Sequence, residues 1–377
     1  MTAAVRSVGV EEELLLVART TGEPLALSAA VLAAASRAAP DGQDEAFEKE
    51  LKNEQVEFAT RPVTSMGELA EEIGRWRAEA ARHAAGVGAG VAALATSPLP
   101  VQPSMSPGER YRWVGEQFGL TAQEQLTCGC HVHVSVESDE EGVAVLDRIR
   151  PWLPVLTAMS ANSPFWQGAD TDYGSYRSRV WNRWPSAGPT EVFGTADRYH
   201  RQVDDMLATG VLRDVGMVYF DARLSANYPT VEIRTADVCL HASTAVLLAT
   251  VSRALVETAA RAWRAGDPPP RIGVALMRLA SWRAARSGLD GPLIDPRSMA
   301  PAPAAAVAEA LLEHVRDALE ETGDLEDARK GMAHLLERGN GARAQRAILR
   351  ERGDLPAVVQ ECCRITTEVP DQPHGGV

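Results

Sequence analysis

The chain has 377 residues, of which 45% are hydrophobic and 24% charged, the composition of a folded protein with ample material for a core. Acids outnumber bases 51 to 38, a formal net charge of -13, which argues against a nucleic-acid binder because that role needs a basic face. The five unevenly spaced cysteines do not suit a disulfide framework, no secretory leader is visible, and the apolar run at 84–95 is too short and glycine-rich to span a bilayer; the expectation is a cytoplasmic protein with no membrane partner.

In chain order, the first element is Val8–Val17, an apolar stretch interrupted by three consecutive acids. Read as a strand, alternation puts Glu11 and Glu13 on one face, roughly 7 Å apart, and Glu12 on the other beside Val10, Leu14 and Leu16. Two carboxylates on one face can hold Mg²⁺ or Mn²⁺ through hard oxygens; the alternative is an edge strand with solvated acids. A turn at Thr20–Pro24 leads to an alanine-rich helix over Ser28–Ala38, stopped by Pro40-Asp41-Gly42. The segment Glu48–Thr60 is polar and then alternates into a strand carrying Glu57, with Glu50 seven residues earlier. Ser65 and Glu68 form a capping box for a helix to about His83. Gly86-Val87-Gly88-Ala89-Gly90 follows a helix and enters an apolar strand, Val91–Ala95. That reverses the strand-to-helix order of a nucleotide-binding glycine loop, so it reads as a helix stop before a buried strand.

After a proline-rich loop at 98–107 and a short helix at 111–118, the segment Thr127–Val136 alternates cleanly. Gly129, His131, His133 and Ser135 share one face; Cys130, Val132, Val134 and Val136 share the other. One helix is expected over Gly142–Ser160, then a long loop from Ala161 to Pro185 holding Arg177, Arg179 and Arg183 among tyrosines and tryptophans. Loops of that length are functional or disordered, and its aromatics argue for order. Its arginines either grip a carboxylate or phosphate in bidentate fashion or lie solvated on the surface. In Thr230–Thr235, Glu232 and Arg234 share a face with Val231 and Ile233 behind. From Leu240 the chain reads as almost wholly helical, ending in a frayed tail at 369–377. The chain is read as one catalytic domain over 1–368, sheet-rich to 238 and helical from 239.

Glu11, Glu13, Glu57, His131, Glu232 and Arg234 thus recur on strands whose opposite face is apolar. The simplest assembly is a mainly antiparallel sheet, packed on helices by one face and lining a cavity with the other. So many carboxylates raise one another's pKa unless cations neutralise them. Oxygen-rich ligation favours Mg²⁺ or Mn²⁺ over Zn²⁺, and several such ions beside arginines suit nucleotide triphosphate binding and phosphoryl transfer. Other readings stay open: a zinc site on Cys128, Cys130, His131 and His133, whose spacing departs from a finger or ribbon; a metal-dependent hydrolase using His131 and His133; and a His133 that is only a hydrogen-bonded core residue.

Seven segments, namely GVEEELLLV (9–17), VEFAT (56–60), GCHVHVSV (129–136), SANSPFWQG (160–168), PTVEIRTAD (229–237), AARSGLDGPL (284–293) and GNGARAQR (339–346), resemble in order the type-2 glutamate–cysteine ligase family, the YbdK-like carboxylate–amine ligases. The resemblance implies an α+β, glutamine-synthetase-like fold: a curved, mainly antiparallel sheet lining a funnel for ATP and Mg²⁺ (or Mn²⁺), helices on its outer face, and a helical C-terminal part. It implies ATP-dependent joining of a small carboxylate, typically glutamate through its γ-carboxyl, to an amine, typically cysteine, by way of an acyl phosphate. A homologue that binds ATP without turnover is the alternative. Carried over by motif, Glu11, Glu13, Glu57, His131 and Glu232 are expected metal ligands, with Glu50 a further acid. Arg234 is expected on the phosphates and Arg177 on the acceptor carboxylate. Asn340 stands where the family has a small polar threonine, and the segment around it reads as an anion-touching helix start or as a plain cap. A homodimer is expected from the prevalence of twofold oligomers.

Overall fold

The acidic strand, β1 (Val8–Ala18), lies inside a sheet and not at its edge. The computed structural model describes residues 5–38 and 47–368; the helix stop expected at 40–42 and the tail at 369–377 fall outside them. After α1 (Ser28–Ala38) come β2 (Phe47–Glu48) and β3 (Gln55–Ala59). α2 (Met66–Gly86) starts as its sequence dictates, the Ser65 hydroxyl accepting from the Glu68 N–H, and β4 (Ala89–Ala92) is the buried strand beyond the glycine-rich stop. α3 (Glu109–Phe118) and α4 (Leu120–Glu124) lead into β5 (Gly129–Ser135).

The single helix expected over 142–160 is instead α5 (Asp139–Ile149), a 3-10 turn at Arg150–Trp152 and α6 (Leu153–Ser160). Pro151 and Pro154 lack the N–H that an uninterrupted helix would use there. The stretch expected as loop carries a small hairpin, β6 (Phe165–Trp166) with β7 (Ala169–Asp170), and a short helix, α7 (Arg177–Trp181). α8 (Ala196–Ala208), β8 (Ala222–Leu224) and β9 (Thr230–Asp237) complete the sheet-rich part. The remainder is α9 (Ala242–Arg264), α10 (Val274–Ser287), a hairpin of β10 (Leu293–Asp295) and β11 (Ala300–Ala302), then α11 (Ala304–His314), α12 (Arg316–Thr322), α13 (Leu325–Arg338), α14 (Gly341–Arg352) and α15 (Leu355–Thr366). The hairpin is an exception within a region expected to be almost wholly helical; four prolines between 292 and 303 mask its strand pattern. Among the described residues no helix is long and apolar enough to cross a membrane.

The main sheet runs β2-β3-β1-β5-β9-β8, each pair antiparallel, with β4 pairing the far half of β1. Its register sets Glu13 opposite Glu57, Glu11 opposite His131, and His133 opposite Glu232. One face therefore gathers the acids and histidines of four strands. The other presents Val8, Val10, Cys130, Val132, Val231 and Ile233 to a core shared with α5, α6 and α9.

Glu12 belongs to that apolar face and is fully buried. Both its oxygens accept bonds of 2.7 Å from Arg77 of α2, whose guanidinium also donates to the carbonyls of Cys239 at 2.6 Å and Leu240 at 3.1 Å. One ion pair thus joins β1, α2 and the link from β9 to α9. A second buried knot joins three of the family-resembling segments, 160–168, 229–237 and 339–346. Asp237 accepts from the Asn162 N–H (2.8 Å) and from the hydroxyls of Ser163 (2.7 Å) and Ser175 (2.8 Å). Gln345 of α14 donates to the Asn162 carbonyl and side chain, at 2.9 and 2.7 Å, while Asn340 caps α14 by accepting from the Arg343 N–H. The segment at 339–346 is therefore a cap and a clamp on the 161–175 stretch.

Candidate active site

A cavity of about 410 Å³ opens on the acidic face of the sheet. Glu11, Glu13, Glu50, Glu57, His131 and Glu232, the six expected metal ligands, all line it, as do Arg234 and His133, with Tyr111, Trp181, Trp184 and Tyr219 among its walls. Three overlapping trios form along it: Glu13, Glu50 and Glu57; Glu11, Glu57 and His131; Glu11, His133 and Glu232. In each trio the potential ligand atoms lie within 4.8 Å of one another. His133 is the addition to the expected set. Its alternation with His131 was the signal for it, but a hydrogen-bonded core histidine shows the same pattern.

The electrostatics are those of acids crowded away from water. Burial, and then the charge of Glu50, push the Glu13 carboxyl up to about 7. Burial and Glu50 likewise raise Glu57 well above the usual carboxylate range. Burial also lifts Glu232, but the charges of Arg234 and Arg223 outweigh it and hold that carboxyl down at about 2. The His131 ring is kept neutral, at about 4, first by burial and then by Arg234. Its Nδ1 lies 3.2 Å from Glu11 Oε2, whereas its Nε2 is buried with no hydrogen bond, the Glu13 Oε1 atom being 4.0 Å away. His133 Nδ1 meets the Thr230 hydroxyl at 2.9 Å, and its Nε2 sits 3.1 Å from Glu11 Oε1 without the alignment of a hydrogen bond.

These residues fit divalent cations. A neutral imidazole with an unused ring nitrogen, beside carboxylates that repel one another, is the donor set such ions require, and its oxygen content suits Mg²⁺ or Mn²⁺. Cysteine plays no part: Cys130 is buried on the opposite face, and among the described residues no ligand-distance group includes a thiol. Gln55, which sequence reasoning passed over, holds Glu13 in place. Glu13 Oε2 accepts from the Gly129 N–H at 2.8 Å and from Gln55 Nε2 at 3.4 Å, and Gln55 also donates to the Thr127 carbonyl at 2.7 Å.

The arginines divide into three situations. Arg234 is buried at the cavity wall in an ion pair with Glu232, which Arg223 also contacts at 2.7 Å. Arg183 pairs with Glu124 near the surface at 2.6 Å. Arg177 is 2% exposed and is not among the cavity's lining residues; it packs behind Gly129, with its guanidinium 5.5 Å from the centroid of the Trp181 ring. The Arg234 guanidinium is 5.9 Å from the same ring.

Sheet, helices and cavity together define a glutamine-synthetase-like ligase fold. It matches a glutamate–cysteine ligase from Francisella tularensis, solved in complex with AMP, with a TM-score of 0.70 over 98% of this chain and 89% of that one at 10% identity. A bifunctional glutathione synthetase from Pasteurella multocida matches with a TM-score of 0.66 over 97% of this chain and 52% of that one at 14% identity. Sequence narrows the class: the model of glutamate–cysteine ligase family 2 matches residues 7–361, and the chain belongs to that family. It is 64% identical over 362 residues to a Streptomyces avermitilis protein provisionally named glutamate–cysteine ligase 2-1, covering 96% of this chain and 99% of the relative. A similarly named protein of Paenarthrobacter aurescens is 50% identical over 377 residues, covering 99% and 98%.

Proposed function

We propose that this ligase joins a small carboxylic acid to an amine at the expense of ATP, with glutamate and cysteine, the substrates in its relatives' names, the first pair to test. The observation that carries the reading is the row of three overlapping ligand trios on one sheet face beside Arg234, with an unused imidazole nitrogen aimed among them. Glu11, Glu13, Glu50, Glu57, His131, His133 and Glu232 would hold Mg²⁺ or Mn²⁺. Bound there, such ions would offset phosphate charge and draw electron density from the transferring phosphoryl group.

The chain's own residues do the remaining work. Arg234 donates to phosphate oxygens, and its pairing with Glu232 keeps the guanidinium in position before the nucleotide arrives. Gln55 and the Gly129 N–H fix the orientation of Glu13. Arg177 offers an unpaired guanidinium for a carboxylate of the acid. A carboxylate is a poor electrophile, so the acid's oxygen takes the terminal phosphoryl group of ATP and ADP leaves. The amine then attacks the acyl carbon, phosphate departs, and the nitrogen gives up a proton. The test is ADP release from purified protein with ATP, Mg²⁺, glutamate and a panel of amines, with mass spectrometry of the product. An amide accompanied by stoichiometric ADP is the expected result; no ADP with any acid and amine overturns the reading.

A further inference from the structure

The cations of the cavity wall are committed to partners. Its lining includes Arg110, Arg223 and Arg234 and no lysine. Arg110 pairs with Asp214 at 2.9 Å, Arg223 with Glu232 at 2.7 Å, and Arg234 with the same Glu232. The two histidines of the lining belong to the ligand trios. The guanidinium of Arg177, which has no ion pair among the described residues, lies behind Gly129 and outside the lining, its Nε buried without an acceptor. Two uncharged lining side chains are the reverse case, buried in the wall with a polar atom that meets nothing. Gln125 is 4% exposed; its Nε2 donates to the Thr127 hydroxyl at 2.5 Å, while its Oε1 has no donor. Trp184 is 2% exposed, and its Nε1–H has no acceptor. Their segments are tied together: the neighbouring residues Glu124 and Arg183 form an ion pair at 2.6 Å, and the Trp184 ring lies 5.0 Å from that of Phe118 at the end of α3. Trp181 and Tyr219, with ring centroids 4.8 Å apart, continue the wall. Through Thr127 the Gln125 amide also connects to Gln55, which holds Glu13, so this wall adjoins the Glu13 end of the cavity.

A buried donor or acceptor without a partner is unfavourable until a ligand supplies one. The free carbonyl of Gln125 takes an N–H, which the attacking amine offers. The indole N–H of Trp184 takes a lone pair, which an oxygen or sulfur on the amine's chain offers. Neither group carries charge, and a single neutral donor on an aromatic wall does not compensate a buried carboxylate. We infer that Gln125 and Trp184 form the amine subsite and select primary amines without a carboxylate, bearing an uncharged acceptor on the chain: amino alcohols, aminothiols or amino amides in preference to whole amino acids. The inference rests on the acid-and-amine reading above and sharpens it, because cysteamine is then a better second substrate than cysteine.

The experiment is calorimetric binding of two matched pairs, cysteine with cysteamine and serine with ethanolamine, in the presence of Mg²⁺, glutamate and a non-hydrolysable ATP analogue. The members of each pair differ only in the carboxylate. Each carboxylate-free amine is expected to bind at least about 10-fold more tightly than its amino acid, which must bury a charge without a partner. Propylamine, the shape of ethanolamine without its hydroxyl, is expected to bind about 10-fold more weakly than ethanolamine, the effect of one hydrogen bond to a buried group. Trp184→Phe is expected to erase that last difference while its Tm and its affinity for the analogue stay within error. Amino acids that bind as tightly as their partners overturn the inference, and so does a wild type that binds none of the amines or does not separate ethanolamine from propylamine. An ethanolamine preference intact in Trp184→Phe overturns it too. Should Trp184→Phe fail to fold, Gln125→Met takes its place and is expected to weaken both amines about 10-fold; unchanged affinities again overturn the inference. Binding is read without turnover, so a protein that releases no ADP with any acid and amine refutes the proposed reaction while the amine preference still decides the role of this wall.

Discussion

Adjacent residues of one strand carry opposite duties here. Glu11 and Glu13 face the cavity, Glu12 faces the core, and the same substitution at each is expected to fail differently. Glu13→Gln or Glu232→Gln removes one charge from a ligand trio and is expected to cut turnover at least ~10²-fold, the effect of about 3 kcal/mol of lost transition-state stabilisation, without a loss of folding. Steady-state ADP release beside a thermal melt checks both halves, and full activity in either variant removes the ligand assignment. Glu12→Gln leaves the buried Arg77 charge uncompensated. Its expected cost is about 3 kcal/mol of stability, read in urea unfolding, with turnover per folded molecule little changed. The sequence put Glu12 on the correct face but could not supply its partner, because Arg77 lies 65 residues on and alternation carries no information about distance between elements.

At the scale of elements, the strands were the most legible part. The four that bear Glu11, Glu57, His131 and Glu232 show a two-residue alternation with ligand-type residues on one side, and the register then brings those sides together. What escaped was set by long-range contact or by proline. The 142–160 helix breaks where Pro151 and Pro154 interrupt its hydrogen bonds, and the β10–β11 hairpin hides among prolines. Arg177 was legible as a candidate, yet its unpaired burial was not, since no pattern in the chain reports what a side chain lacks. Gly339–Arg346 left two readings open, an anion-touching helix start and a plain cap; Asn340 forms the cap, and packing adds a clamp, since a Cβ at Gly341 would lie 2.0 Å from Asn162 Oδ1, on a side chain that is itself fully buried. Gly341→Ala is expected to destabilise the protein by roughly 1–3 kcal/mol, the cost of overpacking a filled interior. A denaturation midpoint identical to wild type would show that the clamp yields freely.

For the molecule as a whole, the crowded carboxylates link stability to pH and ions. Without cations, Glu13 titrates near 7 in the folded state, above its unfolded value, so the folded form holds its proton longer. That contribution is fully present below about pH 4.5 and is lost as pH rises toward 7. His131, depressed to about 4, acts in the opposite sense: its neutral folded form favours stability above the unfolded value near 6.5 and loses it as pH falls toward 4. Divalent ions at this site would demand ionised Glu13 and neutral His131, so both groups would make ion binding stronger as pH rises through their folded values. The rise in Tm produced by Mg²⁺ is accordingly expected to grow from pH 5.5 to 8, as differential scanning calorimetry would read. A Tm gain that is flat across that range would remove Glu13 from the ion-binding set; His131 is already neutral at pH 5.5 and adds nothing to the slope.

The overlap of the three trios has a consequence for how the protein responds to cation concentration. Glu57 belongs to two trios and so does Glu11, so no position along the row can fill without altering the next. An ion at the Glu13 end would strip the proton from Glu57 and thereby prepare the neighbouring position; its positive charge would also resist a second ion until the negative charge of a nucleotide offsets it. Loading would then be coupled through the shared ligands, with nucleotide completing it. Activity plotted against free Mg²⁺ is expected to be sigmoidal at limiting ATP and to approach a hyperbola when ATP is saturating, with Glu57→Gln flattening the curve more than Glu50→Gln, because Glu57, unlike Glu50, connects two positions.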